Sequence, residues 1–187
     1  MVKVLISLVL TQVLYQNKYK NITINIIMNC DILKKSLTNL NFKLYNSQPM
    51  GNCFFNSIAK YFRLNDKMNI TGKEVRLNLI KFITTNEHIM KYMETTLAMS
   101  NKDIHDELYE LRNNGVYDLD IFDIIPIIIA TQYNIKVCIY TWMICSENLL
   151  NESDCEIYVP ITDYDTNINK IHLLYSNMEH YDLLFPL

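Results

Sequence analysis

Apolar residues recur at helical spacing along the first part of this chain and at strand spacing along its last part. The clearest helical pattern follows the turn residues Gly51 and Asn52 and predicts a helix over residues 53–64. One face of this helix is apolar, at Phe55, Ile58, Ala59 and Phe62. Residue 53, a cysteine, therefore begins the helix or lies beside its first turn.

Two capping patterns predict further helix starts. Thr71 precedes Glu74 by three residues, which is the spacing of a capping box, and Ser100 and Asp103 repeat it. The apolar face predicted after the first cap consists of Val75, Leu79, Phe82 and Ile83. The one predicted after the second cap consists of Ile104, Leu108 and Leu111. Segments 31–39, 88–98 and 123–133 are also predicted as helices, the last only if Pro126 lies in its first turn.

Short segments rich in β-branched and aromatic residues predict strands over residues 135–140, 156–159, 171–175 and 181–185. Segment 42–45 alternates weakly and ends before Gln48 and Pro49. No internal repeat or low-complexity linker divides the chain. We therefore expect one α+β domain with a small, mostly antiparallel sheet covered by helices on both sides.

Composition narrows the class of protein. The 187 residues are 50% hydrophobic and 20% charged, with a net charge of −3, which fits a globular domain with a real core. No basic patch is evident, which argues against nucleic acid as a partner. The five cysteines are odd in number and form no C-x-x-C pair, which argues against a disulfide framework or a zinc site and fits a reducing compartment.

The first 27 residues are predicted to be an extension of a domain that spans residues 28–187. Residues 4–14 are apolar but too short to cross a bilayer, and no small-residue cleavage site follows them. The extension is interpreted as accessory or non-native rather than as a signal sequence. We expect no stable membrane insertion, a monomer and a cytoplasmic location.

Cys53 is the first candidate for chemistry. The free N–H groups and the dipole of a helix N-terminus favour negative charge, so a thiol at this place is expected to have a lowered pKa and to react as the thiolate. The same N–H groups can bind an oxyanion, and Gly51 allows the backbone to approach a substrate carbonyl. The alternative is that Cys53 is a small buried apolar residue.

His180 is the second candidate. It begins a predicted strand, and Asp182 follows at i+2, so the two side chains share a face. A carboxylate bonded to one ring nitrogen fixes the tautomer and leaves the other nitrogen to accept a thiol proton. The alternative is that His180 is a surface or structural histidine. His88, His105 and His172 are interpreted in that way.

These segments resemble the ovarian tumour (OTU) family of cysteine proteases, which remove ubiquitin from proteins. The run from Gly51 to Ala59 and the closing triplet of His180, Tyr181 and Asp182 carry the resemblance, which covers residues 42–185. Supporting matches are Glu74-Val75-Arg76, Val116-Tyr117-Asp118, Ile128-Ile129-Ala130 and the strand from Val137 to Tyr140. The resemblance implies the papain-like OTU fold.

The resemblance also implies roles. Cys53 would be the nucleophile, His180 the general base and Asp182 the residue that orients the imidazole; the oxyanion loop would be formed by Met50, Gly51, Asn52 and Cys53. The implied reaction is hydrolysis of the bond after the C-terminal Gly-Gly of ubiquitin or a ubiquitin-like protein, with no cofactor and no metal. Met50 departs from the family, which has an aspartate there, so reduced or retuned activity is expected.

Three other functions remain open at this stage. A catalytically weak or inactive ubiquitin-binding protein would account for Met50. A protease that processes its own polyprotein would use the same residues. A plain interaction domain would leave the spacing of Cys53, His180 and Asp182 unexplained.

Overall fold

Among the described residues, the sheet places the last strand beside the first. The computed structural model describes residues 31–48, 51–97, 103–113, 120–142, 149–161, 165, 167–177 and 180–187. Within these ranges one sheet has five strands in the order β1–β5–β4–β2–β3. The strands are β1 (Phe42–Tyr45), β2 (Lys136–Trp142), β3 (Cys155–Tyr158), β4 (Lys170–Ser176) and β5 (His180–Pro186). Only β2 and β4 pair in parallel, so the mostly antiparallel sheet is confirmed.

Six α-helices accompany the sheet in the described part of the chain. They are α1 (31–39), α2 (Cys53–Asn65), α3 (Gly72–Thr85), α4 (Glu87–Leu97), α5 (Ile104–Leu111) and α6 (Ile125–Tyr133). The predicted positions are confirmed to within a few residues. None of these helices combines the length and the apolar character that a crossing of a bilayer requires.

The caps explain where the helices begin. Thr71 and Glu74 form the predicted capping box at α3, and a proline lies in the first turn of α6 as expected. The prediction that Ser100 caps α5 is wrong, because Asp103 is the N-cap. Its carboxylate accepts a 2.7 Å hydrogen bond from the N–H of His105, and this contact satisfies one of the free N–H groups of the first turn of α5.

Helices cover the sheet on both faces. The larger core contains residues of α2 to α6 packed on β2, β4 and β5, and Tyr181 and Leu183 are the buried β5 residues in it. The smaller core lies on the other face, where Leu37 of α1 packs with Leu174 and Leu184. The expected α+β arrangement is thus confirmed, and β5 is buried on both sides.

Close packing of α2 on α3 depends on Gly72. A Cβ at this position would lie 2.9 Å from the backbone nitrogen of Asn56 and closer still to the Asn56 side-chain oxygen. Since a backbone atom of a buried helix cannot move aside easily, the two helices could not keep their separation.

Gly72→Ala is therefore expected to destabilise the protein by about 1–3 kcal/mol, the usual cost of overpacking, although alanine is the better helix former. The free energy of unfolding in urea would measure this. Lys73→Ala, at the exposed neighbouring position, is the control and should change stability by less than about 0.5 kcal/mol. A stabilising Gly72→Ala change would show that the helices adjust their separation.

Candidate active site

Cys53 is the first residue of α2. Asn52 is the N-cap residue, and Gly51 before it has a φ of 68°, in the left-handed region that glycine adopts without strain. The Asn52 side chain makes no capping hydrogen bond to the helix. The predicted position of Cys53 at a helix N-terminus is confirmed.

The beginning of β5 holds the histidine and its carboxylate. Nε2 of His180 lies 3.0 Å from Oδ1 of Asp182, and the same oxygen accepts a 2.7 Å hydrogen bond from the N–H of Ser47. The ladder between β1 and β5 ends at the pair Tyr45 and Leu183, so Ser47 reaches Asp182 just past the last paired residue. Because Nε2 is bound to the carboxylate, Nδ1 is the ring nitrogen left for proton transfer.

Packing of α2 against β5 brings Cys53 to the backbone of the strand that carries His180 and Asp182. The backbone N–H of Tyr181 hydrogen-bonds to the sulfur of Cys53, and the charge of Asp182 acts on the same thiol. The cysteine therefore lies against the peptide between His180 and Asp182. A thiol, an imidazole and a carboxylate in this arrangement can perform nucleophilic acyl transfer.

The predicted lowering of the thiol pKa is wrong for this conformation. Cys53 is only 2% exposed, and this burial raises the pKa of its thiol. The backbone N–H groups of Tyr181, Phe54 and Cys53 lower the pKa, as expected at a helix N-terminus, but burial outweighs them, and Asp182 adds to the rise. The thiol is therefore protonated at neutral pH.

Two serines extend the site. Ser57, one turn after Cys53 and fully buried, donates a 3.2 Å hydrogen bond to the carbonyl of Tyr181. Its hydroxyl also shares a 2.6 Å hydrogen bond with that of Ser47, whose N–H holds Asp182. No sequence pattern predicts this chain of contacts; the available signal is Ser57 itself, a polar residue between the buried positions Phe54 and Ile58.

Arg76 lies in a segment that resembles the OTU family, but the resemblance assigns it no function. Its side chain is fully buried in α3 and donates hydrogen bonds to the Gly51 carbonyl and to Oδ1 of Asn52, at 2.7 and 2.6 Å. A charged residue between the buried positions Val75 and Leu79 is the signal that could have indicated this contact.

Some predicted residues lie outside the described part of the chain. These are Met50 of the proposed oxyanion loop, the segment 116–118, Cys30, Cys145 and residues 1–27. Gly51, Asn52 and Cys53 of the same loop are described and adjoin Arg76.

The remaining histidines and cysteines lie on other elements. His88 and His105 are on α4 and α5, while His172 on β4 packs against the Phe42 ring and has a pKa lowered to about 4 by burial and by nearby Lys170. Cys138 and Cys155 are neighbours on β2 and β3. Among the described residues, no three His, Cys, Asp or Glu side chains are grouped so that they could hold a metal ion.

Comparison with solved structures identifies the fold. The OTU domain of OTUD1 has a TM-score of 0.63 at 14% identity, over 87% of this chain and 98% of that one. A Hazara virus OTU bound to ubiquitin has a TM-score of 0.55 at 17% identity, over 81% and 84%. An OTU deubiquitinase from Wolbachia pipientis wMel bound to ubiquitin has a TM-score of 0.56 at 14% identity, over 78% and 96%.

No protein-family model and no curated protein sequence matches this chain. The architecture therefore carries the identification: the chain has the OTU fold, as its resemblance over residues 42–185 implied.

The geometry at Asp182 predicts a graded effect of substitution. One oxygen, Oδ1, accepts from both Nε2 of His180 and the N–H of Ser47, and an asparagine amide oxygen can do the same. For the hydrolysis that the resemblance implies, Asp182→Asn should therefore retain more of kcat than Asp182→Ala. His180→Ala, which removes the predicted base, should lower kcat by about 10²–10⁴-fold. Equal, parental rates for both Asp182 variants would remove this residue from the mechanism.

Proposed function

We propose that this chain is an OTU-type thiol hydrolase that cleaves the peptide or isopeptide bond after the C-terminal Gly-Gly of ubiquitin or a ubiquitin-like protein. The observation that carries the proposal is the contact of Cys53, at the N-terminus of α2, with the peptide between His180 and Asp182 within an OTU fold. Two proteins of the same fold were solved with ubiquitin bound, which supports this substrate class.

In the proposed mechanism, His180 removes the Cys53 proton as the sulfur attacks the carbonyl of the terminal glycine. Since the thiol pKa is raised, this transfer is coupled to the attack rather than completed beforehand. The N–H of Cys53 and those of the loop 50–52 would stabilise the oxyanion. His180 then protonates the leaving amine, and water hydrolyses the thioester, which restores the thiol and releases the carboxylate.

The burial of Cys53 favours a second function, a ubiquitin-binding protein with weak or no activity. A protonated thiol that is 2% exposed is a poor nucleophile unless substrate binding uncovers it. Both functions predict ubiquitin binding, and they differ in whether Cys53 forms a covalent bond.

The decisive measurement is covalent capture. The protein would be incubated with ubiquitin carrying a C-terminal electrophile, and the adduct located by peptide mass spectrometry. The hydrolase proposal predicts an adduct at Cys53, its loss in Cys53→Ala, and turnover of ubiquitin dimers. Cys138→Ala, at a buried thiol on β2, is the matched control and should keep most activity.

The alternative outcomes are distinct. Ubiquitin binding by calorimetry without adduct or turnover would establish the binding protein. An adduct at Cys138 or Cys155 would overturn the site. Absence of both binding and adduct would overturn ubiquitin as the substrate.

The domain proposed here spans residues 28–187, acts as a cytoplasmic monomer and needs no cofactor. Its described part begins with α1, whose Leu33 and Leu37 pack on the second face of the sheet. This packing supports the inclusion of α1 in the proposed domain.

A chain that begins at Met28 should therefore fold and keep its activity, because it retains α1. A chain that begins at Asn41 removes Leu33, Leu37 and Leu40 from the smaller core and should lose several kcal/mol of stability, at about 2–5 kcal/mol per deleted large core side chain. Thermal unfolding and ubiquitin turnover of both chains would be compared. An unfolded chain from Met28 would show that residues 1–27 belong to the domain.

A further inference from the structure

Arg76 connects the nucleophile to two other segments. It is 0% exposed, and its guanidinium also donates to the carbonyls of Leu111 and Asn113, at 3.1 and 3.0 Å. The group stacks over the Phe55 ring, 4.4 Å from its centroid. With the bonds to Gly51 and Asn52, one side chain thus joins the start of α2, the body of α3 and the end of α5.

The bond to Gly51 sets the direction of a backbone donor. A trans peptide is planar, so its C=O and the next N–H point in opposite directions. Because the Gly51 carbonyl points to Arg76, the Asn52 N–H points away from the guanidinium. Arg76 therefore fixes one of the N–H groups that the sequence assigns to the oxyanion loop.

The bond to Asn52 has a second consequence. Asparagine at an N-cap normally accepts a hydrogen bond from the first helical turn, and here its oxygen is bound to Arg76 instead. The Asn52 side chain is thereby held away from the N–H groups beside Cys53.

Charge acts in the same direction. Burial lowers the pKa of Arg76 to about 10, while Cys53 nearby raises it, so the guanidinium is positive at neutral pH. A positive charge favours the thiolate over the thiol. On β5, the charge of Asp182 acts on the same thiol in the opposite direction, and its carboxylate is bound to His180.

We propose that Arg76 is a positioning residue for the reaction of Cys53: it orients the Gly51–Asn52 peptide, keeps the Asn52 side chain off the start of α2, and supplies positive charge to the thiolate. This inference rests on the proposed hydrolase function for its effect on turnover. Its effect on thiol reactivity does not depend on ubiquitin.

A purely structural arginine would also bind the carbonyls of Leu111 and Asn113, so stability alone does not test the proposal. The first measurement is the pH profile of Cys53 alkylation by iodoacetamide, followed at that residue by mass spectrometry. The second is kcat and KM for cleavage of a ubiquitin C-terminal amide. The variants are Arg76→Met and Arg76→Lys.

Arg76→Met should shift the alkylation profile to higher pH and lower kcat by about tenfold, with KM nearly unchanged. This decrease is smaller than the ~100-fold or greater decrease in kcat that follows removal of an oxyanion donor. Arg76→Lys should keep a profile close to the parent, because the charge remains, but should still lose kcat, since an ammonium lacks the planar fork. The control is Arg63→Met, at an exposed arginine of α2 with a 3.3 Å hydrogen bond to Ile70, which should change neither.

A folded Arg76→Met variant with the parental alkylation profile and kcat would overturn the proposal. If Arg76→Met does not fold, Asn52→Ser decides the positioning role. Serine can cap α2 but is too short to reach the guanidinium, so the new cap offsets part of the lost hydrogen bond, and we expect a folded protein with a lower kcat. Unchanged kcat would overturn the role.

Failure of the hydrolase proposal would be recognised separately. A parent protein that cleaves no ubiquitin substrate overturns the proposed function, and the alkylation profiles still decide the effect of Arg76 on Cys53. A shifted profile in Arg76→Met then supports the electrostatic role, and an unshifted one rejects it.

Discussion

The insertion of β5 between β1 and β4 is the constraint on which the rest of the structure depends. This last strand satisfies its backbone hydrogen bonds on both edges and is buried on both faces. A buried backbone group without a partner is costly, so the strand has little freedom to slide. Its register places His180 and Asp182 at the N-terminal end of β5, close to Ser47, which follows β1, and to the first turn of α2.

Much of this arrangement was predictable because it depends on local sequence. The helix that begins at Cys53, the capping box at Thr71 and the shared face of His180 and Asp182 follow from residue spacing alone. The parallel pairing of β2 with β4 was not predictable, since it depends on how the chain crosses between two strands. The Ser100-to-Asp103 spacing predicts a cap at Ser100, but the same segment contains a second capping residue, and the contact of Asp103 with the N–H of His105 places the start of α5 after Asp103.

The pKa of the Cys53 thiol depends on tertiary packing that the sequence does not reveal. A position at a helix N-terminus favours the thiolate, and the nearby N–H groups do lower the pKa of Cys53 as predicted. Burial is a property of the assembled core, produced by α2 packing on β5, and it acts in the opposite direction. The larger effect is the tertiary one, so the resting thiol is neutral although its local position suggested an anion.

The buried polar residues indicate how the fold accommodates this site. In the described chain they are Ser36, Ser57, Arg76, Glu107 and Asp182. Ser36 and Glu107 each accept a hydrogen bond from a backbone N–H of a distant segment, at Leu150 and Ile121, which is an ordinary structural use. The other three surround Cys53 and connect α2 to β5 and α3.

Replacing a buried ion pair as a whole by apolar side chains of similar size often leaves stability unchanged or improves it, so buried polar groups are weak evidence for added stability. Their concentration around one thiol is therefore better explained by the geometry that they impose than by the stability that they add. Ser57 binds the Tyr181 carbonyl, and Asp182 binds the His180 imidazole, on either side of the Tyr181 N–H that faces the sulfur. Arg76 binds the Gly51 carbonyl, two residues before the thiol. These contacts order the backbone on both sides of the thiol, which is what the proposed proton transfer from Cys53 to His180 would require of the fold.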